Sequence, residues 1–125
     1  MSQPTRLICI GAHRSLALKL QPSLSPHVSY IAILTKIEPS KTYSPENLAL
    51  LLDALHPSPD GVIVGGGFGD EEVDEMMKVI ALKKREDGTS FKFIRVPVGT
   101  IEASGPEGLV NKVKELLADA FAVQW

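Results

Sequence analysis

The candidate functional residues of this chain are concentrated in three loops, each of which follows an apolar run and precedes a helix signal. His13 and Glu102 are the candidate catalytic residues, because side chains of these types serve as general acids and bases. The candidate ligand-binding residues are Gly11, His13, Arg14, Ser15, Gly65, Gly66, Gly67, Gly69, Gly99 and Thr100. In a parallel α/β sheet such loops meet outside the carboxyl ends of the strands, so we expect one shared site.

The first loop has the residue types of an anion site. His13 and Arg14 would lie at the start of a helix, where free backbone N–H groups and the macrodipole favour a negative charge. The guanidinium of Arg14 could add two parallel hydrogen bonds to a phosphate or carboxylate. The alternative is that both side chains are solvated loop residues, with Arg14 paired to a neighbouring acid.

The second loop has four glycines among the five residues from Gly65 to Gly69, which allows the backbone to approach a ligand closely. It departs from the dinucleotide-binding pattern, because Asp70 stands where the third glycine belongs. Together with Glu71 and Glu72, Asp70 would repel a pyrophosphate. The loop is therefore better suited to a neutral or hydroxylated group such as a ribose, or to a tight structural turn.

A nicotinamide cofactor on the first loop would meet two departures from the usual pattern. Gly11 is present, but His13 and Leu16 occupy the positions of the second and third glycines. Lys36 follows the second predicted strand where an acid would bind the ribose, and a lysine suits a 2′-phosphate instead. NADP or another nucleotide is thus the candidate cofactor, and no metal is expected because the histidines lack metal-ligand spacing.

The segment from Cys9 to Ser15 follows a strand, opens a helix, and resembles the phosphate loop of the low-molecular-weight protein tyrosine phosphatases. The resemblance implies a nucleophilic thiolate at Cys9 and a phosphoryl-binding guanidinium at Arg14. That family has five residues between the cysteine and the arginine, whereas four separate Cys9 from Arg14 here. No Asp-Pro acid loop follows to protonate a leaving group. Because an unpaired cysteine in a strand is most often a small buried residue, we expect that role for Cys9.

The predicted elements on either side of these loops alternate between strand and helix. The predicted strands are Arg6–Ile10, Val28–Leu34, Val62–Val64 and Phe91–Val96, and the predicted helix caps are Ser15, Ser44, Asp70 and Ser104. The first helix is expected to end before Pro22. Right-handed crossovers place helices on both faces, and the most economical strand order is 2-1-3-4. This predicts one three-layer α/β domain over residues 1–125, flavodoxin-like or Rossmann-like, with a four-stranded parallel sheet.

Composition limits the classes of protein to which the chain can belong. Its 125 residues, 44% of them hydrophobic, suffice for one domain with an ordinary core. The net charge of -2 and the dispersed basic residues argue against nucleic acid as a partner. A single cysteine and the lack of a long apolar segment predict a cytoplasmic protein with no membrane partner.

These observations lead to three hypotheses about function. The first is binding of an anionic small molecule, a nucleotide or a phosphorylated metabolite, at the C-terminal edge of the sheet. The second is a protein-interaction module that forms a homodimer through the last helix and the apolar tail, with Phe121, Val123 and Trp125 in the interface. The third is a small enzyme that uses His13 or Glu102 as its acid or base.

Overall fold

The computed structural model of the protein describes residues 4–12, 14–36, 42–123 and 125. Within this part of the chain, four strands alternate with four helices: β1 Thr5–Gly11, α1 Arg14–Leu24, β2 Val28–Thr35, α2 Pro45–Ala54, β3 Gly61–Val64, α3 Asp70–Ala81, β4 Lys92–Arg95 and α4 Thr100–Phe121. This order confirms the predicted alternation. Among the described helices, none has both the length and the apolar character needed to cross a membrane.

The four strands form one parallel sheet in the order β2-β1-β3-β4, as predicted. β3 is central and all four of its residues are buried, which explains its uninterrupted apolar sequence. β1 is the other central strand, and β2 and β4 form the edges. Because all strands run the same way, the loops that follow β1, β3 and β4 lie at the same edge of the sheet.

Alternate residues of β1 face two separate hydrophobic cores. Leu7 and Cys9 pack with residues of α1 and α4 on one face of the sheet. Ile8 and Ile10 pack with residues of α2 and α3 on the other face. The domain is therefore a three-layer α/β fold of flavodoxin-like type, with two helices on each face of the sheet.

The predicted end of α1 before Pro22 is wrong, because the helix continues to Leu24 with Pro22 inside it. A proline in the last turn removes one backbone donor, and the fully buried Leu24 side chain holds that turn against the core. The Gln21 side chain also ties the end of α1 to β2. Its amide donates to Val28 O at 2.9 Å and its oxygen accepts from Tyr30 N at 2.7 Å.

The starts of α2 and α3 show which cap predictions hold. Ser44 caps α2 as predicted, with Asn47 N donating to Ser44 Oγ at 3.0 Å. The cap of α3 is Gly69 rather than Asp70, so that prediction is wrong by one residue. The reason is that Glu72, at the third position of the helix, accepts from Gly69 N at 3.2 Å and satisfies the start of the helix from within.

α4 begins at Thr100, four residues before the predicted cap at Ser104. The helix is interrupted at Gly105, which has a φ of 69°, and it resumes at Pro106. The proline disfavours helical geometry in the residue before it, and glycine tolerates the left-handed conformation that results. Thr100 and Glu102 therefore lie on a short helical turn at the carboxyl edge of the sheet, where the sequence predicted a loop.

Polar side chains tie together the opposite, amino-terminal edge of the sheet. Asp60 accepts from Arg6 N at 2.8 Å and from Arg85 Nη2 at 2.9 Å. Arg85 Nε also donates to Pro59 O at 3.1 Å. These partly buried contacts join the starts of β1 and β3 to the connection between α3 and β4, so this edge serves stability.

The C-terminal tail contacts its own chain. Trp125 Nε1 donates to Lys114 O at 3.0 Å, and the indole packs edge-on against the His27 ring with centroids 5.3 Å apart. Phe121 and Val123 pack against the core beneath α1 and α4. Homodimerisation through Phe121, Val123 and Trp125 stays a prediction.

Candidate functional site

A cavity of about 260 Å³ opens at the carboxyl edge of the sheet, between α1 and α4. Its floor and walls are mostly apolar and consist of Cys9, Ile10, Leu16, Ala17, Leu20, Tyr30, Ile63, Val96, Leu109 and Val113. Its mouth is formed by Gly11, Ala12, Gly65, Gly66, Gly67, Pro97, Gly99, Thr100 and Glu102. The three loops singled out in the sequence thus meet around one cavity.

The loops approach so closely that a side chain would collide with a neighbour at Gly67 and would be crowded at Gly66. A Cβ on Gly67 would lie 2.8 Å from Ala12 Cβ, and a Cβ on Gly66 would lie 3.2 Å from Pro97 O. Gly67 therefore lets the β3 loop pack on the β1 loop, and Gly66 lets it pack on the β4 loop. These glycines shape the mouth of the cavity whether or not they contact a ligand.

Several of the other predicted site residues lie away from this cavity. Arg14 lines a separate groove along the β2 edge, together with Leu18 and Leu50. Ser15 is an exposed residue of α1, and the exposed Gly69 caps α3, so neither lines the cavity. The prediction for His13 concerns a residue outside the described part of the chain. The positive charge expected from Arg14 is thus directed to a different surface.

Lys36, which was predicted from the sequence to suit a 2′-phosphate, instead contacts residues of its own chain. Its Nζ donates to Gly67 O at 3.2 Å and to Glu72 Oε1 at 3.1 Å, and it lies 5.3 Å from the centre of the Phe68 ring. The Gly69 N–H group, and then Lys36, hold the pKa of Glu72 below its ordinary value. Lys36 therefore stabilises the glycine loop (residues 65–69), and its charge is already balanced by Glu72.

Arg95 is engaged in the same way on the other side of the glycine loop. Its Nη1 lies 2.8 Å from Asp70 Oδ1, and its Nη2 donates to Phe68 O at 3.3 Å. Lys36 and Arg95 are thus both paired with acids at the start of α3. Glu102 is the only charged side chain among the described residues that line the cavity.

Glu102 and Thr100 supply the polar side chains at the mouth. Thr100 Oγ1 donates to Pro97 O at 2.7 Å, so its proton is committed within the chain. Glu102 is exposed and forms no hydrogen bond or ion pair with any other described residue. Its carboxylate is therefore available to a bound molecule, and its use as a catalytic acid or base stays a prediction.

Cys9 forms part of the cavity floor and is 7% exposed. Burial raises the pKa of its thiol to about 12, although a hydrogen bond from Tyr30 acts in the opposite direction. The pKa of Tyr30 is also raised, mainly by burial. At neutral pH Cys9 is a protonated thiol, and Arg14 is not beside it. The structure therefore supports the buried-residue role of Cys9 and not the nucleophile that the phosphatase resemblance implies.

We expect Cys9 to react with iodoacetamide at neutral pH roughly a hundredfold more slowly in the folded protein than in urea, because thiolate is scarce and access is restricted. Mass spectrometry of intact protein over a time course measures both rates. The urea-unfolded chain is the control, since it carries the same single cysteine. Similar rates in the two states would show an accessible thiolate and restore a nucleophilic role.

The cavity walls are the part of the site that sequence reasoning missed. Tyr30 belongs to the predicted strand Val28–Leu34, and Leu109 and Val113 belong to the apolar stripe of the helix predicted after Ser104. In the structure they line the cavity, while the neighbouring Leu117 is fully buried. The apolar periodicity of an element is the same whether its buried face meets other side chains or a cavity, so no sequence signal could separate the two.

The site can enclose an apolar group and hold a polar group at its mouth, next to Glu102 and the loop backbones. Within the described residues, no three His, Cys, Asp or Glu side chains are grouped in a way that could hold a metal ion. Comparison with models of protein families, with curated proteins and with solved structures finds no match to this chain.

Proposed function

We propose that this protein binds a small organic molecule, with the apolar part of the ligand in the cavity between α1 and α4 and its polar end at the mouth. The cavity itself carries the proposal. Protein interiors are normally packed with few voids larger than a water molecule, and voids reduce stability. A cavity of about 260 Å³ at the edge where parallel α/β sheets bind ligands is best explained as a binding site.

The volume of the cavity limits how much of a ligand it can enclose. Pockets for drug-sized ligands measure about 300–1,000 Å³, and this cavity of about 260 Å³ lies just below that range. A single ring or a short apolar chain would fill it, and the rest of the ligand would extend through the mouth. A nucleotide could bind in this way, with its base inside and its ribose and phosphate outside.

The anionic ligand expected from the sequence, a nucleotide or a phosphorylated metabolite, stays within this proposal. Its support is the start of α1, which follows Gly11 and Ala12 at the mouth and has no acidic residue in its first turn. Free N–H groups at such a helix end favour hydrogen-bond acceptors.

The low cysteine content continues to favour a cytoplasmic location.

Binding of adenosine, AMP and indole, used as ring-bearing probes, tests the proposal. We expect a bound probe to raise the melting temperature and to shift the NMR signals of the Gly65, Gly66 and Gly99 amides. Ala17→Leu should weaken binding at least about tenfold, because the added carbons enter the cavity from its α1 wall. Thermal shift and NMR titration measure both effects.

Ala81→Leu is the matched control, because it makes the same substitution at the exposed end of α3. It should leave probe affinity unchanged. If probes bind Ala17→Leu as tightly as the unmodified protein, or shift amides around the β2 groove and not those at the mouth, the cavity is not the binding site.

A further inference from the structure

We infer that the polar end of the ligand is a hydrogen-bond donor, a hydroxyl or an ammonium group, and that Glu102 selects it over a phosphate or carboxylate. The inference rests on the proposed binding function, which it narrows to a ligand class. For a nucleotide-like ligand, it favours the nucleoside over its phosphate.

The side chains at the mouth carry a negative charge without a partner. Glu102 is exposed, lines the cavity, and forms no ion pair or hydrogen bond elsewhere in the described chain. A carboxylate only accepts hydrogen bonds, and it accepts most strongly from hydroxyl and ammonium groups. A ligand whose apolar part fills the cavity would present its polar end to this carboxylate.

No basic side chain among the described residues lines the cavity and could offset that charge. The cations on either side of the glycine loop are already paired, Lys36 with Glu72 and Arg95 with Asp70. Arg14 lines the groove along β2. A phosphate at the mouth would therefore meet Glu102 with no described counter-charge beside it.

Backbone donors at the mouth are also partly used. Gly65 N donates to Ile10 O at 2.8 Å, and Thr100 N donates to Pro97 O at 3.4 Å. These groups are not available to form an anion-binding nest. The starts of α1 and α4 remain as positive ends, and a complete helix start is equivalent to about half an elementary charge. The first turn of α4 contributes less, because the helix is interrupted at Gly105. The full charge of Glu102 outweighs both, so the mouth favours a donor.

Three probes with one phenyl ring and different polar ends test the inference: phenethylamine, 2-phenylethanol and phenylacetate. NMR titration at pH 7 gives their affinities from the Gly65, Gly66 and Gly99 amides. In the unmodified protein we expect the amine and the alcohol to bind at least about fivefold more tightly than phenylacetate. Glu102→Gln should bring all three affinities within about twofold, and added salt should reduce the amine preference.

Glu107→Gln is the control, since Glu107 is an exposed acid of α4 beyond the Gly105 kink that does not line the cavity. The Glu107→Gln variant should bind the three probes in the same order of affinity as the unmodified protein. Phenylacetate binding as tightly as the amine, or equal effects of the two substitutions, would overturn the inference and leave the proposed function standing. If no probe shifts the amides at the mouth, the proposed function fails and the inference fails with it.

Discussion

Replacing Gly61 with alanine is expected to lower the free energy of unfolding by about 3 kcal/mol. A Cβ at Gly61 would lie 2.5 Å from Lys92 O and 2.9 Å from Phe121 Cζ. Lys92 is the residue opposite Gly61 in the β3–β4 register, so its carbonyl cannot withdraw without disturbing the sheet. The Phe121 ring is packed against the core beneath α4. Urea denaturation followed by circular dichroism measures the loss.

The control for this experiment is Gly65→Ala, directly after the other end of β3. A Cβ there would have Ile10 O at 3.8 Å and Gly11 Cα at 3.9 Å as its nearest neighbours, which are ordinary contacts. We expect the free energy of unfolding to change by less than about 1 kcal/mol. Equal losses for the two variants would contradict the steric explanation.

Alkaline pH is expected to destabilise the protein strongly, with Cys9 alone accounting for about 2 kcal/mol between about pH 9 and pH 11. Burial raises the pKa of this thiol from its ordinary 9.0 to about 12 in the folded protein. Above pH 9 the unfolded chain loses the proton while the folded chain keeps it. Stability that is fully present below pH 9 is therefore lost progressively as the pH rises towards 12. Tyr30, whose pKa is raised in the same direction, adds to the loss at higher pH.

Urea denaturation from pH 7 to pH 11, for the unmodified protein and for Cys9→Ala, measures this effect. The variant should be less stable at pH 7, because it loses buried packing, but its stability should decline less steeply above pH 9. Parallel pH profiles for the two proteins would mean that the folded thiol titrates normally and that Cys9 is more accessible than the structure shows.

Local signals in the sequence were enough for the element order, and right-handed crossovers then predicted the strand order as the most economical arrangement. The cap and proline at Ser44 and Pro45 mark the start of α2 correctly, because both act on the first turn itself. Prediction from single residue types failed at two helix ends. Buried Leu24, a tertiary contact, keeps Pro22 within α1. Glu72 makes Gly69 the cap of α3 through a hydrogen bond three residues along the chain, although Asp70 is the better capping residue type.

The candidate site was predictable as a place but not as a chemical environment. Glycine loops after buried strands indicate where a parallel sheet gathers its ligand-binding edge, and Gly11, Gly66 and Gly99 do lie there. Sequence could not show that Arg14 lines another groove, because the first residue of a helix can present its side chain to either side of the loop before it. Nor could it show that Lys36 is already paired with Glu72.

Patterns in the sequence were sufficient to predict the alternation of strands and helices, the parallel sheet, and the edge at which three loops gather. These depend on periodicity and on capping, which act between near neighbours in the chain. The cavity that α1 and α4 leave above Cys9, and the position of Glu102 at its mouth, become visible only in the folded chain. Both depend on how side chains from distant segments fill or leave space, and an apolar residue has the same pattern in the sequence in either case.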